Sequence, residues 1–511
     1  MKKLLFFLFT LVVLASGCGK KNTFTLEGSI KGLPSDTILV FYQEPDYKLD
    51  TILLSKGKFT YTITPDTFTI FSLLLGEKQI LPIYADKGES VTLNGMAKYQ
   101  MNLYLITFQS GLNKMESVYD CHKDLFVEIE KYFTLHLIHY KEVETIPEDA
   151  YKMAFIASGG VEKTVTQHFD LLPYPITLLT DGLQNSLAAS LEIATWMRNK
   201  GMKARIIHGS PMHMVKQILS HHQAFAAKRE IKGKRIGVIG YPSSWLVASN
   251  VDYLLAKRRW GIEYIDIPME EIYCLYYQIT DDDIGYKASV LVKQAVACRE
   301  ATPEDFLKAM RLYKAVRIIC EKKHLDAVTL SCFSLIEKLG TTGCLALSLL
   351  NDEGIPAGCE GDLQSIFTML IAKVLTNQTG FMANPSFINE EQNELVVAHC
   401  TIATKMTDRF IIRNHFESET GVAIQGILHE GEITVLKCGG ECLDEYFVSR
   451  GQLTENTNYI NACRTQIRIR LGKPVDYFTR NPLGNHHIVL MGDHEQVIHE
   501  FMQLNSCKQI E

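Results

Sequence analysis

Gly354-Ile-Pro-Ala-Gly-Cys-Glu-Gly-Asp-Leu-Gln-Ser-Ile-Phe-Thr-Met369 reads as a short buried strand, a glycine-interrupted acidic tripeptide and the opening of an apolar helix. Glu360 and Asp362 then fall at the carboxyl end of a strand, where open α/β sheets place their ligands. Asp362 stands directly before Leu363 and fits the N-cap of the helix. The other reading of Asp362 is that it shares the site, since residues i and i+2 of an extended segment face the same way.

Outward from this stretch the pattern is strand, helix, strand, helix. Asn102-Leu-Tyr-Leu-Ile-Thr-Phe, Phe133-Thr-Leu-His-Leu-Ile and Met153-Ala-Phe-Ile-Ala-Ser have the texture of buried strands. Ile176-Thr-Leu-Leu-Thr precedes an amphipathic helix that Asn185 is placed to cap. A second unit opens at Lys234-Arg-Ile-Gly-Val-Ile-Gly and continues through a helix around 247–257, a strand at Glu263, a long helical region 281–323 and the strand Ala327-Val-Thr-Leu. Such alternation means parallel sheets covered on both faces. From about residue 345 the pattern is mixed, with antiparallel-looking strands after 394. Ahead of all this, 23–98 is β-rich, with period-two alternation in Thr23-Phe-Thr-Leu-Glu and turns at Gly32-Leu-Pro and Ser55-Lys-Gly-Lys. The fold class expected is α/β: an N-terminal β-sandwich module (23–98), two Rossmann-like parallel-sheet domains (101–208 and 209–345) and a mixed α+β C-terminal substrate and metal domain (346–505).

Length and charge set outer bounds. A chain of 511 residues exceeds what one core serves. The net charge of −6 offers no basic footprint for nucleic acid. The first residues read as a targeting segment: Lys2 and Lys3, then apolar residues 4–14, then Ala15-Ser-Gly-Cys18. Small residues before a cysteine resemble a bacterial lipobox, although Ala15 stands where leucine is usual. That implies a signal peptide over 1–18, lipidation at Cys18, and a body held at a bacterial envelope membrane, facing the periplasm, without spanning it. The alternative is an ordinary cleaved signal peptide. Twelve further cysteines, Cys121 to Cys507, show no zinc-ribbon spacing, and buried thiols are the expectation.

Three histidine-bearing stretches follow the acidic tripeptide: Val396-Val-Ala-His-Cys-Thr, Asn414-His-Phe-Glu-Ser and Pro482-Leu-Gly-Asn-His-His-Ile. One carboxylate with separated histidines is ligand chemistry for a divalent metal such as manganese. Cys-Glu-Gly-Asp opening a helix, Ala-His-Cys about forty residues on, and Gly-Asn-His-His near the end together resemble the L-fucose/L-arabinose isomerase superfamily, closest to its fucose-isomerase-related branch, over about 101–505. The 23–98 region resembles a small β-sandwich carried behind the lipid anchor of envelope lipoproteins.

The resemblance implies an enzyme that interconverts an aldose and a ketose through a cis-enediol, with Mn2+ or another divalent ion and a pair of carboxylates passing a proton. It implies Glu360 as metal ligand and base, and His399 and His486 as further ligands. Asn384 stands where the family's second carboxylate is expected; it offers a carbonyl oxygen but no base. Asp362 is the candidate replacement in catalysis. His415, Glu417, Arg464 and His487 are the candidate substrate contacts. The expected substrate is a small sugar, a pentose or a 6-deoxyhexose, and the family implies homo-oligomers. The competing reading is a membrane-anchored carbohydrate-binding or sensing protein that has lost catalysis with its second carboxylate. Of the remaining motifs, Gly237-Val-Ile-Gly240 lacks the third glycine of a dinucleotide loop. His221-His222 is expected on a solvated helix face, and Trp245 in a core, with the rim of a site as its other reading.

Overall fold

The computed structural model describes residues 12–15, 23–31, 37–42, 48–55, 57–64, 69–75, 79–85, 90–96, 101–111 and 117–511. Cys18 lies outside the described residues. The chain divides into two units, residues 1–158 and 159–511.

The first unit begins with eight described strands in two sheets. β1 (Phe24–Lys31) lies between β4 (Lys58–Ile63) and β7 (Ser90–Met96), antiparallel to the first and parallel to the second. The short strand Val12–Ala15 pairs antiparallel with β7. The other sheet runs β3 (Lys48–Leu53), β2 (Thr37–Tyr42), β5 (Thr69–Leu75), β6 (Gln79–Ala85). Alternating side chains from both sheets, among them Phe24, Leu26, Val40, Phe71 and Leu93, form one core. This is the arrangement of a sandwich. Gly28 is required where β1 passes β7, since a Cβ there would meet the Leu93 carbonyl oxygen at 1.9 Å. After this module, β8 (Met101–Phe108) takes β9 (Phe133–His139) and β10 (Lys152–Ile156) as parallel neighbours, with α1 (Lys123–Ile129) between them in sequence.

The second unit opens with β11 (Ile176–Leu179), α2 (Ser186–Asn199), β12 (Ala204–Ile207) and α3 (Pro211–Glu230), the two strands parallel. Asn185 does occupy the N-cap of α2, but at φ 62° and with no side-chain capping bond. His221 is buried, its Nε2 3.2 Å from Thr177 Oγ1, because α3 turns that face onto the sheet. The expectation of a solvated histidine pair is corrected accordingly.

A four-stranded parallel sheet follows, ordered β14 (Glu263–Ile267), β13 (Arg235–Ile239), β15 (Ala327–Leu330), β16 (Ala357–Cys359). The helix expected near 247 starts later, as α4 (Tyr253–Trp260), because Asp252 Oδ1 accepts from the amides of Leu254 and Leu255. The helical region 281–323 is two helices, α5 (Gly285–Gln294) and α6 (Pro303–Lys322). A capping box between Thr302 and Asp305, with Pro303 in the first turn, restarts the helix. α7 (Cys344–Asp352) leads into β16, and α8 (Leu363–Thr376) leaves it.

The rest of the unit is dominated by antiparallel strands: β17 (Phe381–Asn389), β18 (Glu394–His399), β19 (Arg409–Arg413), β20 (Ala423–Ile427), β21 (Gly431–Gly439), β22 (Glu445–Asn456), β23 (Thr465–Leu471) and β24 (His487–Met491), with α9 (Glu495–Leu504) near the end. β19 and β20 form a hairpin. The other six run β21-β24-β17-β18-β23-β22, and β22 pairs back onto β21, so the sheet closes as a barrel and hides its edges. The antiparallel texture was readable after residue 394; the closure was not.

α8 is apolar nearly all round, as a helix between two layers must be. It packs against β21 and β24 of the barrel and against β15 and β16 of the parallel sheet. Phe367, fully buried on it, contributes about 2 kcal/mol relative to exposure. Among the described residues, no helix is long and apolar enough to cross a membrane.

Candidate metal and sugar site

β16 ends at Cys359, and the chain must turn sharply into α8. Glu360 takes φ 62° and Gly361 φ 70°. A Cβ on residue 361 would meet Pro242 Cα at 2.7 Å, so this position needs glycine. A glutamate in the left-handed region is strained, and such strain gathers at functional sites. The turn is held by the Ser243 amide donating to the Glu360 carbonyl at 2.9 Å and by the Gly361 amide donating to that of Leu330 at 3.2 Å. It aims the Glu360 side chain across the carboxyl end of the parallel sheet.

The barrel supplies the other groups. His399 is the last residue of β18, and His486 directly precedes β24. One ligand atom from each of Glu360, His399 and His486 lies within 4.8 Å of the others, and all three residues are buried. The His399 and His486 rings meet edge to face at 5.5 Å. His486 Nε2 lies 3.7 Å from Glu360 Oε1, too far for a hydrogen bond, and it has no hydrogen-bond partner among the described residues. An imidazole nitrogen is not buried without a partner at no cost. A carboxylate oxygen and two imidazole nitrogens this close together fit a divalent cation, and on that ground these residues suit the metal implied above.

Behind His486 stands a charged layer. His486 Nδ1 is 2.9 Å from Asp362 Oδ2, which also accepts from Ser365 Oγ at 2.8 Å. Asp362 Oδ1 accepts from the Ser365 amide at 2.8 Å, the N-cap bond of α8. Lys437 on β21 is fully buried; its Nζ donates to Ser365 Oγ at 2.9 Å and lies 3.8 Å from Asp362 Oδ2. Burial works against the ionised Asp362, but Lys437 and His486 overcome it and hold the carboxyl well below its usual range. Burial likewise works against a charged His486, and the carboxylates of Asp362 and Glu360 outweigh it and raise its pKa. At His399 the Glu360 carboxylate does not offset burial and the neighbouring His486, which lower it to about 4 and leave it neutral and able to ligate. For Glu360, burial is outweighed by His486 and by the Trp245 indole, and its carboxyl is held below the ordinary value.

Trp245 corrects an expectation. Expected in a core, it is 53% exposed, and its Nε1 donates to Glu360 Oε2 at 2.7 Å. Its ring stands edge-on to Phe333 at 5.1 Å. Nothing in the periodicity of 241–250 separates a rim tryptophan from a core one.

A cavity opens beside the Glu360 carboxylate. Asn384, His399, His415 and Glu417 line it, with Phe333, Ile336 and Thr342. Five cysteines complete the wall: Cys332, Cys344, Cys359, Cys400 and Cys463. The buried thiols expected from composition are therefore gathered in large part around the site, a convergence that no spacing in the sequence indicates. Three candidates lie elsewhere. Asp362 is fully buried behind His486 and does not line the cavity. Arg464 is not in the lining either; its guanidinium donates to the Asn414 carbonyl at 2.9 Å and also bonds the Asn414 side chain. His487 points the other way along β24, with Nε2 3.0 Å from Tyr477 Oη and its ring among Phe447 and Phe478. Burial and Lys437 lower His487 to about 3.

Comparison with known proteins adds two likenesses. Residues 24–111 match the family described as Domain of unknown function (DUF4369), a match that runs past 23–98 into β8. A protein named sulfoquinovose isomerase from Alkalicoccus urumqiensis is 22% identical over 268 residues, 50% of this chain and 59% of that one. Another of the same name from Clostridium sp. (strain MSTE9) is 24% identical over 225 residues, 43% of this chain and 50% of the other. The chain thus spans between half and three-fifths of the length of the curated relatives it matches. Over about half its length it is similar, at low identity, to sugar isomerases, and over residues 24–111 to a domain family of unknown function.

Proposed function

We propose that this chain is a divalent-metal-dependent aldose–ketose isomerase working in the cavity beside Glu360. The observation that carries the reading is the convergence of Glu360, His399 and His486 around the unpartnered His486 Nε2. These three residues would hold the ion. When bound, such an ion supplies Lewis-acid polarisation of the sugar's carbonyl and hydroxyl oxygens.

The residues themselves do the rest. Glu360 is ionised at neutral pH, and the Trp245 indole fixes the direction of Oε2. Oε2 takes the proton from the sugar carbon and returns it to the neighbouring one, which is general acid–base chemistry. Glu417, the other carboxylate of the lining, handles the hydroxyl proton in place of the family's second acid. Asn384 and His415 bond sugar hydroxyls. Asp362 is a positioning residue: it orients His486 and takes no proton from the sugar. The proposed substrate is a small aldose, with pentoses, 6-deoxyhexoses and, from the relatives' name, sulfoquinovose as the set to try.

The test is turnover of purified protein with Mn2+ across that set. Glu360→Gln is expected to lower the rate by about a hundredfold or more. Absence of turnover with every sugar and metal, together with no effect of Glu360→Gln on sugar or metal binding, contradicts the proposal. Anchoring at a bacterial envelope is a separate proposal from the sequence; it predicts lipid labelling that Cys18→Ala abolishes.

A further inference from the structure

We propose that Cys332 and Cys359 are a modification site in the cavity wall, a dithiol that hydrogen peroxide closes to a disulfide. Cys359 ends β16 and immediately precedes Glu360; Cys332 lies two residues beyond β15, the neighbouring strand. The Cys359 thiol donates to Cys332 Sγ at 2.9 Å. A disulfide needs about 2.05 Å, so the sulfurs must approach by less than about 1 Å. Both are 4% exposed, yet both line the cavity, so a small uncharged oxidant that enters the cavity meets them. The hydrogen bond to Cys332 and burial push the Cys359 thiol up, so the opening onto the cavity, not acidity, is what offers the pair to the oxidant.

The chemistry balances with peroxide as the oxidant. One sulfur attacks a peroxide oxygen, the O–O bond breaks, and a sulfenic acid and water form. The second sulfur displaces that hydroxyl as a second water, its own proton leaving with it. Two thiols lose two electrons, and one peroxide becomes two waters.

Closure has consequences on both sides of Glu360. Cys359 is its chain neighbour. Cys332 is followed by Phe333, whose ring meets Trp245 at 5.1 Å, and Trp245 holds Glu360 Oε2. Drawing the sulfurs together shifts one or both of these supports. Losing support of this kind weakens metal binding by about tenfold or more.

The experiment treats the full chain with hydrogen peroxide, alkylates remaining thiols and maps disulfides by mass spectrometry. Exposed Cys274 and Cys298 report that oxidant was sufficient. The expected product joins the peptides of Cys332 and Cys359, is reversed by dithiothreitol, and is absent from both Cys332→Ser and Cys359→Ser. Oxidised protein is expected to bind Mn2+ about tenfold more weakly or worse, with recovery on reduction. A cross-link between other cysteines, or none at a dose that oxidises Cys274 and Cys298, overturns the site. A complete Cys332–Cys359 cross-link with unchanged Mn2+ binding overturns its effect on Glu360. The metal readout rests on the proposed ion site, whereas the mapping does not, so failure of one is distinguishable from failure of the other.

Discussion

Asp362 Oδ2 lies 2.9 Å from His486 Nδ1, and this contact leaves Nε2 of the same ring as the nitrogen that faces Glu360. An acceptor on one side of an imidazole fixes the proton there and frees the other nitrogen to ligate. Asp362→Asn keeps an acceptor for the Ser365 amide, so the cap of α8 survives. The charge behind His486 is lost. Mn2+ affinity is expected to fall by about ten- to a hundredfold, measured by calorimetric titration, with the fold intact by circular dichroism.

Trp245 gives a second prediction. Trp245→Phe preserves a ring beside Phe333 and removes the hydrogen bond to Glu360 Oε2. A hydrogen bond to a charged group is worth about 1.5–3 kcal/mol. The expected result is a drop in kcat of about tenfold or more, with a smaller change in KM. Steady-state rates on whichever sugar is turned over check it, and an unchanged kcat contradicts the role.

A third prediction concerns stability and is independent of the site. Burial, with the charges of Arg205 and His222, lowers His221 to about 3 in the folded chain. An unfolded histidine titrates near 6.5. Between these values the unfolded chain binds a proton that the folded chain refuses, so stability falls as pH drops below about 6.5, the loss continuing to about 3. Between pH values of about 7 and 5 this one group costs about 2 kcal/mol. Denaturant midpoints at the two pH values should differ less in His221→Gln than in the parent protein, and an equal difference contradicts the assignment.

Much of the site was legible because its first element is local. Cys359-Glu-Gly-Asp announces itself within four residues: a strand end, a turn that requires glycine, and a cap. The parallel sheet was likewise readable from alternating strands and helices. His399 and His486 are named by motif, but their approach to Glu360 depends on barrel strands far apart in sequence. What escaped is what long-range packing decides. The pairing of β22 back onto β21 closes the barrel, yet either strand reads the same in an open sheet. Asp362 reads first as a cap and second as a catalytic acid; Lys437, seventy-five residues on, makes it a cap that also holds His486. Trp245 reaches the Glu360 carboxylate from a loop without periodicity. The cysteines are scattered along the chain and meet only in three dimensions.

The most direct measurement of the central claim is a crystal structure of the protein grown with Mn2+, using anomalous scattering to locate the ion. One ion held by Glu360, His399 and His486 at about 2.0–2.4 Å is the expected result. Manganese bound only elsewhere, or Glu360 and the two imidazoles turned to separate regions with no ion between them, would contradict it.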